Sequence, residues 1–217
     1  MNVLEQLKKH TIIVADSSDF QTIEKFLPQD ATTNPSLILK ASNMPQYKYL
    51  IDDAIKHSEK AISEKEKKEL FILKVFVNFG LEILKKIPGR VSIEVDARDS
   101  FDTEKSIEKA RQIISLFENN GIDRKRILIK LASTWECIEA AKILEKENIH
   151  CNMTLLFSLS QAIACAEARV TLISPFVGRI LDWYKKNENV DYFSPEEDPG
   201  VLSLKAIFNY YKKFDYK

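Results

Sequence analysis

Lys130 is a charged residue inside an apolar segment, residues 127–131, whose composition predicts a buried strand. Burying an amine is costly unless the group is paired or does chemistry. A desolvated lysine loses its proton readily, and its neutral amine attacks carbonyl carbons to form a Schiff base. The sequence therefore favours a lysine nucleophile, although a lysine at the edge of a sheet can also extend its amine to solvent.

Other polar residues lie near the ends of the predicted strands. Side chains two apart on a strand share a face, so Glu94 and Asp96 point to one side and Ile93 and Val95 to the other. The same alternation recurs around Lys130 and in the next predicted strand. A polar cluster is predicted from eight residues: Asp16, Asn34, Glu94, Asp96, Lys130, Asn152, Thr154 and Ser174.

This set of groups suits imine chemistry. Carboxylates and a bound water can move protons while a carbon–carbon bond breaks next to an imine on Lys130. Asn34 and Asn152 can hydrogen-bond substrate hydroxyls, and Arg179 can hold an anionic end of the substrate. Two alternatives stay open, because Asp16 can be part of a turn or a helix cap and Asn34 part of a plain turn.

Strand-like runs alternate with helical patterns, which predicts βα units and a parallel sheet in an α/β fold. Such a sheet can be open and doubly wound, or part of a barrel. Strands with one apolar and one polar face favour the barrel, in which polar groups converge at the carboxyl ends of the strands. The predicted strands span residues 11–16, 30–33, 91–96, 127–131, 151–157 and 171–176.

Helix starts are predicted after two of the strands. Ser133 with Glu136, and Ser158 with Gln161, each have the spacing of a capping box. The remaining predictions are two helices within 43–86 separated by a charged turn at 59–69, a loop at 187–199 and a helix at 203–213.

Composition narrows the function classes. The chain has 217 residues, 45% hydrophobic and 29% charged, and its 32 basic and 32 acidic residues cancel. We therefore expect an ordinary globular protein with no nucleic-acid or membrane partner and a cytoplasmic location. Three cysteines without paired spacing, three scattered histidines and the lack of glycine-rich nucleotide motifs predict no disulfide, no metal site and no cofactor.

Six segments together resemble the classical transaldolase family, in register over almost the whole chain. Their length and order make the resemblance far more specific than a single short motif. The segments are 14–19 (VADSSD), 30–37 (DATTNPSL), 94–98 (EVDAR), 129–135 (IKLASTW), 151–157 (CNMTLLF) and 173–179 (ISPFVGR).

The resemblance implies a (β/α)8 TIM barrel of the class I aldolase type. This chain would contain its first six βα units as one domain, residues 1–217, incomplete at the C-terminus. The implied enzyme of the pentose phosphate pathway transfers a dihydroxyacetone unit from sedoheptulose 7-phosphate to glyceraldehyde 3-phosphate, giving erythrose 4-phosphate and fructose 6-phosphate. It uses no cofactor, and its partners are these sugar phosphates.

The resemblance also implies a role for each site residue. Lys130 would form the Schiff base, Asp16 would accept the proton of the substrate C4 hydroxyl, and Glu94 with Thr154 would hold the water that relays protons. Substrate would be bound by Asn34, Asn152, Ser174, Phe176 and Arg179.

Two features depart from the family pattern. Arg169 stands where the family usually has glycine after a helix, so we expect a positive φ there at a cost of about 1 kcal/mol. The chain also ends at Lys217, before two further βα units, which predicts unpaired strand edges and either aggregation or completion by a partner piece. A homodimer stays open, since the family's final helices take part in subunit contact.

Two other functions remain open from the sequence. One is a lysine Schiff-base aldolase that cleaves another small carbonyl compound without a transfer step. The other is an inactive, truncated remnant of a transaldolase.

Overall fold

The computed structural model describes residues 2–216, apart from the side chain of Gln21. Six strands form one sheet in the order β1-β2-β3-β4-β5-β6, which is also their order along the chain. The pairs β1–β2, β2–β3 and β5–β6 are parallel. The strands are β1 Val14–Asp16, β2 Asp30–Thr32, β3 Val91–Glu94, β4 Ile127–Ala132, β5 Cys151–Leu156 and β6 Leu172–Pro175.

This strand order decides between the two predicted architectures. A doubly wound sheet reverses its order at a switch point, whereas a (β/α) barrel adds each strand beside the previous one. The sequential order, with helices in every connection, confirms an α/β fold of the TIM-barrel type. The helices are α1 Val3–Leu7, α2 Phe20–Phe26, α3 Pro35–Ser42, α4 Lys48–Ser58, α5 Glu64–Leu84, α6 Thr103–Glu118, α7 Trp135–Lys146, α8 Leu159–Glu167, α9 Val177–Glu188 and α10 Pro199–Lys213.

The chain divides into two compact units. The first comprises Met1–Val95 and Lys109–Ile129, and the second comprises Asp96–Glu108 and Lys130–Lys217. The predicted single domain stays a prediction, and its end residues, Met1 and Lys217, lie outside the described residues. Lys130 belongs to the second unit.

In the first unit, α5 packs closely on its neighbours because it carries a glycine in its middle. A Cβ on Gly80 would lie 2.7 Å from the Phe117 ring and 2.8 Å from Ile93. α5 begins at Glu64, capped by the Ser63 side chain, which accepts a hydrogen bond from Glu66 N. The predicted turn at 59–69 is therefore wrong for its second half, since this cap starts the helix within the charged segment.

An ion pair between a buried lysine and an exposed aspartate joins α4 to α5. Lys74 is 8% exposed, and its Nζ lies 3.2 Å from Asp53 Oδ2. Asn78 Nδ2 donates hydrogen bonds to Asp53 Oδ2 at 2.9 Å and to Leu50 O at 2.8 Å. Burial opposes ionisation of Asp53, but hydrogen bonds from Asn78 and Lys74 hold its pKa below the ordinary 3.8. Burial, followed by the charges of Lys60 and Lys74, lowers the pKa of His57.

We expect Asp53 and His57 to make the protein acid-labile. Both pKa values are lower in the folded state, so the unfolded chain binds more protons and stability decreases as pH falls. The contribution of His57 decreases below its ordinary value of 6.5 and that of Asp53 below 3.8. Asp53→Asn should lower the free energy of unfolding by about 1–2 kcal/mol near neutral pH and flatten the loss in acid, since Asp53 is partly screened by solvent.

Chemical denaturation as a function of pH measures both effects. Because an unpaired buried amine causes the loss, adding Lys74→Met to Asp53→Asn should restore most of the stability. A single variant as stable as the wild type, or a double variant less stable than the single one, would contradict the role of the pair.

In the second unit, the two predicted capping boxes have different outcomes. Ser158 and Gln161 form a complete capping box at the start of α8, as predicted. The box predicted at Ser133 is wrong, because Thr134 caps α7 by accepting a hydrogen bond from Cys137 N at 3.3 Å. Ser133 instead turns back to β5, where both its amide and its hydroxyl donate to Thr154 O, at 2.7 and 2.8 Å.

The expected positive φ at Arg169 is confirmed, with a value of 57° just after α8. α9 ends at Glu188 and is followed by Asn189 in the left-handed conformation, so the loop predicted from 187 begins slightly later. α10 starts one turn earlier than predicted, because Asp198 caps it by accepting from Gly200 N and Val201 N. No helix among residues 2–216 is both long enough and apolar enough to cross a bilayer.

All three cysteines are buried in the second unit, on α7, β5 and α8. Burial raises the pKa of Cys165 to about 12 and raises that of Cys151 well above its ordinary value. Since thiolates are the reactive form, we expect the folded protein to react with an aromatic disulfide reagent only at its slow rate of opening. All three thiols should react at once in guanidinium chloride. A thiol that reacts rapidly in the folded protein would contradict the structure.

Candidate active site

β4 is buried along its whole length, as predicted, and Lys130 is its fourth residue. Lys130 is 7% exposed, between Ile129 at 0% and Leu131 at 2%. The outward-pointing alternative, in which the amine reaches solvent from an edge strand, is therefore wrong. Lys130 is thus a buried amine on an inner strand of the sheet, the type of group that Schiff-base chemistry uses.

Asn152 and Ser174 form a direct pair across β5 and β6. Asn152 is buried, and its Oδ1 accepts a hydrogen bond from Ser174 Oγ at 2.7 Å. Because Oδ1 is the acceptor, the amide NH₂ of Asn152 is oriented away from Ser174 as a donor group. The structure thus brings together two residues that the sequence predicted from separate strands.

Thr154 carries a buried hydroxyl with no hydrogen-bond partner among the described residues. The residue is 3% exposed, and its Oγ1 is enclosed. An unpaired buried hydroxyl costs roughly 1–3 kcal/mol, so such groups in native proteins call for an explanation. The Thr154 backbone carbonyl, in contrast, accepts two hydrogen bonds from Ser133, one from its amide and one from its hydroxyl. The backbone is held while the hydroxyl remains available for a small polar molecule.

Phe176 and Arg179 lie together where β6 meets α9. The Arg179 guanidinium is 5.4 Å from the centre of the Phe176 ring, and the Phe157 ring packs edge-on against it at 5.3 Å. Phe176 N donates to Leu156 O at 3.0 Å, which fixes the end of β6 to that of β5. Arg179 is exposed, and its predicted contact with an anionic group stays a prediction.

The first unit places Asp16 and Asn34 at the carboxyl ends of β1 and β2. Asp16 is the last residue of β1 and is exposed, opposite Thr32 in the parallel register. It does not cap a helix, since Ser17 Oγ is the group that accepts from Asp19 N. Asn34 does cap α3, accepting from Leu37 N at 2.9 Å, so its Oδ1 is engaged and its NH₂ is the group that could contact a ligand.

Glu94 and Asp96 have different surroundings in spite of their shared predicted face. Glu94 is the last residue of β3 and is half-buried. Asp96 lies beyond the strand, where it caps a 3-10 helix and pairs with the exposed Arg98 guanidinium at 2.5 Å. Asp96 therefore acts as a local cap and ion-pair partner at the end of β3.

Sequence reasoning missed two residues near these strand ends. Thr32 ends β2, and its Oγ1 is a second enclosed hydroxyl without a partner among residues 2–216. The sequence offered a signal for Thr32, since this residue begins the polar run that ends at Asn34. Gln161 was assigned only to a helix cap, although its side chain also bonds to the ends of β4 and β5.

A cavity of about 480 Å³ lies elsewhere, in the first unit between α4 and α5, and none of the predicted site residues lines it. Its walls include Asp53, Lys74, Asn78 and the ion pair of Lys85 with Glu82 at 2.6 Å. These charges already satisfy one another, so the cavity is best explained by the packing of two charged helices. Among residues 2–216 no group of three or more His, Cys, Asp and Glu is placed to hold a metal.

Comparisons with known proteins bear on the whole chain. The family model described as transaldolase/fructose-6-phosphate aldolase matches residues 13–217. A probable transaldolase of Dictyostelium discoideum is 61% identical over 218 residues, covering all of this chain and 68% of the relative. The transaldolase of Protochlamydia amoebophila is 62% identical, with 67% of the relative covered, and that of Saccharomyces cerevisiae is 61% identical, with 65% covered. The chain thus spans about two thirds of the length of these relatives.

Proposed function

The chain belongs to the transaldolase/fructose-6-phosphate aldolase family, and from that premise we propose that it is a transaldolase whose nucleophile is Lys130. The reaction transfers a dihydroxyacetone unit from sedoheptulose 7-phosphate to glyceraldehyde 3-phosphate in the pentose phosphate pathway. The single observation that carries the proposal is the lysine itself, 7% exposed in the middle of a fully buried strand. Family relatives with about 60% identity over the whole chain are named transaldolase, which supports the transfer reaction.

The first step is formation of an imine. The neutral Lys130 amine attacks the ketone carbon of the donor sugar, and the carbinolamine then loses water to give an iminium ion. Protons must reach the departing hydroxyl and leave the amine during this step. In this proposal the Thr154 hydroxyl, which has no partner among residues 2–216, holds the water that carries them, and the Glu94 carboxylate accepts and returns the proton.

The second step breaks the bond between C3 and C4 of the donor. Asp16 accepts the proton of the C4 hydroxyl, the aldehyde product leaves, and the bonding electrons move into the iminium to give an enamine. The enamine then attacks the aldehyde carbon of the acceptor, whose oxygen takes a proton back. Hydrolysis of the resulting iminium restores Lys130 and releases the new ketose, so the reaction needs no external oxidant or reductant.

Substrate binding is assigned to amide, hydroxyl and guanidinium groups at the strand ends. The Asn152 amide NH₂, oriented by the Ser174 hydroxyl, donates to a hydroxyl of the dihydroxyacetone unit. The NH₂ of Asn34 does the same in this proposal, since its Oδ1 is held by α3. Arg179, stacked near Phe176, binds the substrate phosphate through a pair of charge-assisted hydrogen bonds.

An assay with and without an acceptor tests the proposal against the aldolase alternative. A transaldolase given fructose 6-phosphate and erythrose 4-phosphate forms sedoheptulose 7-phosphate, and it releases little dihydroxyacetone when the acceptor is omitted. An aldolase releases dihydroxyacetone from fructose 6-phosphate at the same rate without the acceptor. No product in either arm from folded protein would support the inactive remnant.

A further inference from the structure

Gln161 bonds to the ends of two neighbouring strands through one side-chain amide. Its Nε2 donates to Ser133 O, just beyond β4, at 2.9 Å and to Leu155 O, on β5, at 3.2 Å. Its Oε1 accepts from Phe157 N at 2.9 Å and from Ser158 N at 3.1 Å. The side chain therefore joins the end of the strand that carries Lys130 to the end of the strand that carries Thr154.

These four contacts require a carboxamide. Two backbone carbonyls face Nε2 and two backbone amides face Oε1, so both halves of the side chain are used and their orientation is fixed. A glutamate of the same length could still accept from the two amides and cap α8. It could not donate to the two carbonyls, and its second oxygen would face them with repulsion.

The segment that Gln161 holds is locally strained. Leu155 has a φ of 54°, a left-handed conformation that is rare for a leucine, and the β5–β6 register shifts between Met153 and Leu156. Backbone in such a conformation persists when surrounding contacts hold it, and it occurs preferentially at functional sites. The contact to Leu155 O acts directly on the strained residue, next to Thr154.

We propose that Gln161 is a positioning residue for the reaction at Lys130. Its carboxamide keeps the end of β5 in the left-handed turn and at a fixed distance from β4, which sets the position of the Thr154 hydroxyl. Phe157 follows on the same segment and packs on Phe176, so the same contacts also support the aromatic side of the site. The inference rests on the proposed function, since it assigns Gln161 to the imine chemistry of Lys130.

Gln161→Glu in the full chain tests the proposal, because it keeps the cap and removes only the two donated hydrogen bonds. We expect kcat to fall about 10- to 100-fold, because small displacements of reacting groups have effects of that size. The KM for fructose 6-phosphate should stay within about threefold of the wild type, since the substrate-binding groups are unchanged. The rate of borohydride-trappable imine formation should fall with kcat.

Ser158→Ala is the control for the cap: it removes the Ser158 hydroxyl, which accepts from Gln161 N and donates to Gln161 Oε1, both at 3.2 Å, but it keeps the hydrogen bonds that Gln161 Nε2 donates to Ser133 O and Leu155 O. It should lower the melting temperature without changing kcat. If Gln161→Glu is recovered only as unfolded protein, Gln161→Asn takes its place, because the shorter amide cannot reach both strand ends, and the same loss of kcat is expected.

The outcomes separate this inference from the proposed function. If the wild-type chain forms the imine and Gln161→Glu has the same kcat and the same rate of imine formation, only the positioning role is wrong. An equal loss of kcat in Ser158→Ala also overturns it, because the effect would then come from the helix cap. If the folded wild-type chain forms no imine, both the proposed function and this inference are wrong.

Discussion

Lys130→Met is expected to lower transaldolase activity by at least about 10⁴-fold, the order of loss found when an enzyme nucleophile is removed. Methionine is unbranched and similar in length to the methylene stem of lysine, so the buried strand should keep its packing. A thermal transition as cooperative as that of the wild type would show that the variant is folded. Steady-state rates and a thermal melt on the same preparation measure both quantities.

Lys74→Met is the matched control, because it makes the same substitution at the other buried lysine. Lys74 is 8% exposed, pairs with Asp53 on α4, and lines a cavity that contains none of the proposed site residues. Its variant should keep the wild-type rate. Residual activity in Lys130→Met within tenfold of the control would refute the nucleophile, whereas an equal loss in both variants would point to general damage by removal of a buried charge.

Thr154→Val is expected to reduce activity and raise stability together. The substitution replaces a buried hydroxyl, for which the described part of the chain offers no hydrogen-bond partner, by a methyl group of similar size. Removing the unsatisfied group should raise the free energy of unfolding by about 1 kcal/mol. Losing the group that holds the proton-relaying water should lower kcat by about 10²-fold. Denaturant titration and single-turnover imine formation measure the two effects.

Thr171→Val is the control, because it is the same substitution at a threonine whose hydroxyl is hydrogen-bonded. Its free energy of unfolding should change in the opposite direction. Thr171 Oγ1 is hydrogen-bonded to Glu145 Oε2 at 3.0 Å and lies 2.9 Å from His150 Nδ1. Its loss should lower the free energy of unfolding by about 1 kcal/mol and leave kcat unchanged. If Thr154→Val keeps the wild-type kcat, the account of the bound water is wrong. If it lowers the free energy of unfolding as much as Thr171→Val does, the Thr154 hydroxyl is satisfied in the folded protein.

Much of the fold follows from the sequence because periodicity and strand-end residues carry its main signals. The six strands lie where the apolar runs predicted them, and the last residue of each strand agrees with its prediction to within two residues. The start of β1 differs most, since it begins at Val14 and not at residue 11. The short strand is exposed at two of its three residues, so the apolar pattern before it does not mark buried structure.

The candidate site was predicted residue by residue, but its details depend on contacts that a sequence does not display. Ser133 was expected to cap α7 because serine is a common cap, yet it bonds to the Thr154 carbonyl across the sheet. The left-handed Leu155 had no signal, since glycine and asparagine are the residues that usually mark this conformation. The missing partner of the Thr154 hydroxyl and the second role of Gln161 likewise appear only once the strand ends are placed.

The central claim, that Lys130 is the Schiff-base nucleophile, is tested most directly by trapping. The folded chain is incubated with fructose 6-phosphate, reduced with borohydride, digested and mapped by mass spectrometry. The account predicts a single reduced dihydroxyacetone adduct on Lys130, none on Lys74, and none anywhere in Lys130→Met. An adduct on another lysine, or no adduct on Lys130 in protein that melts cooperatively, would contradict it.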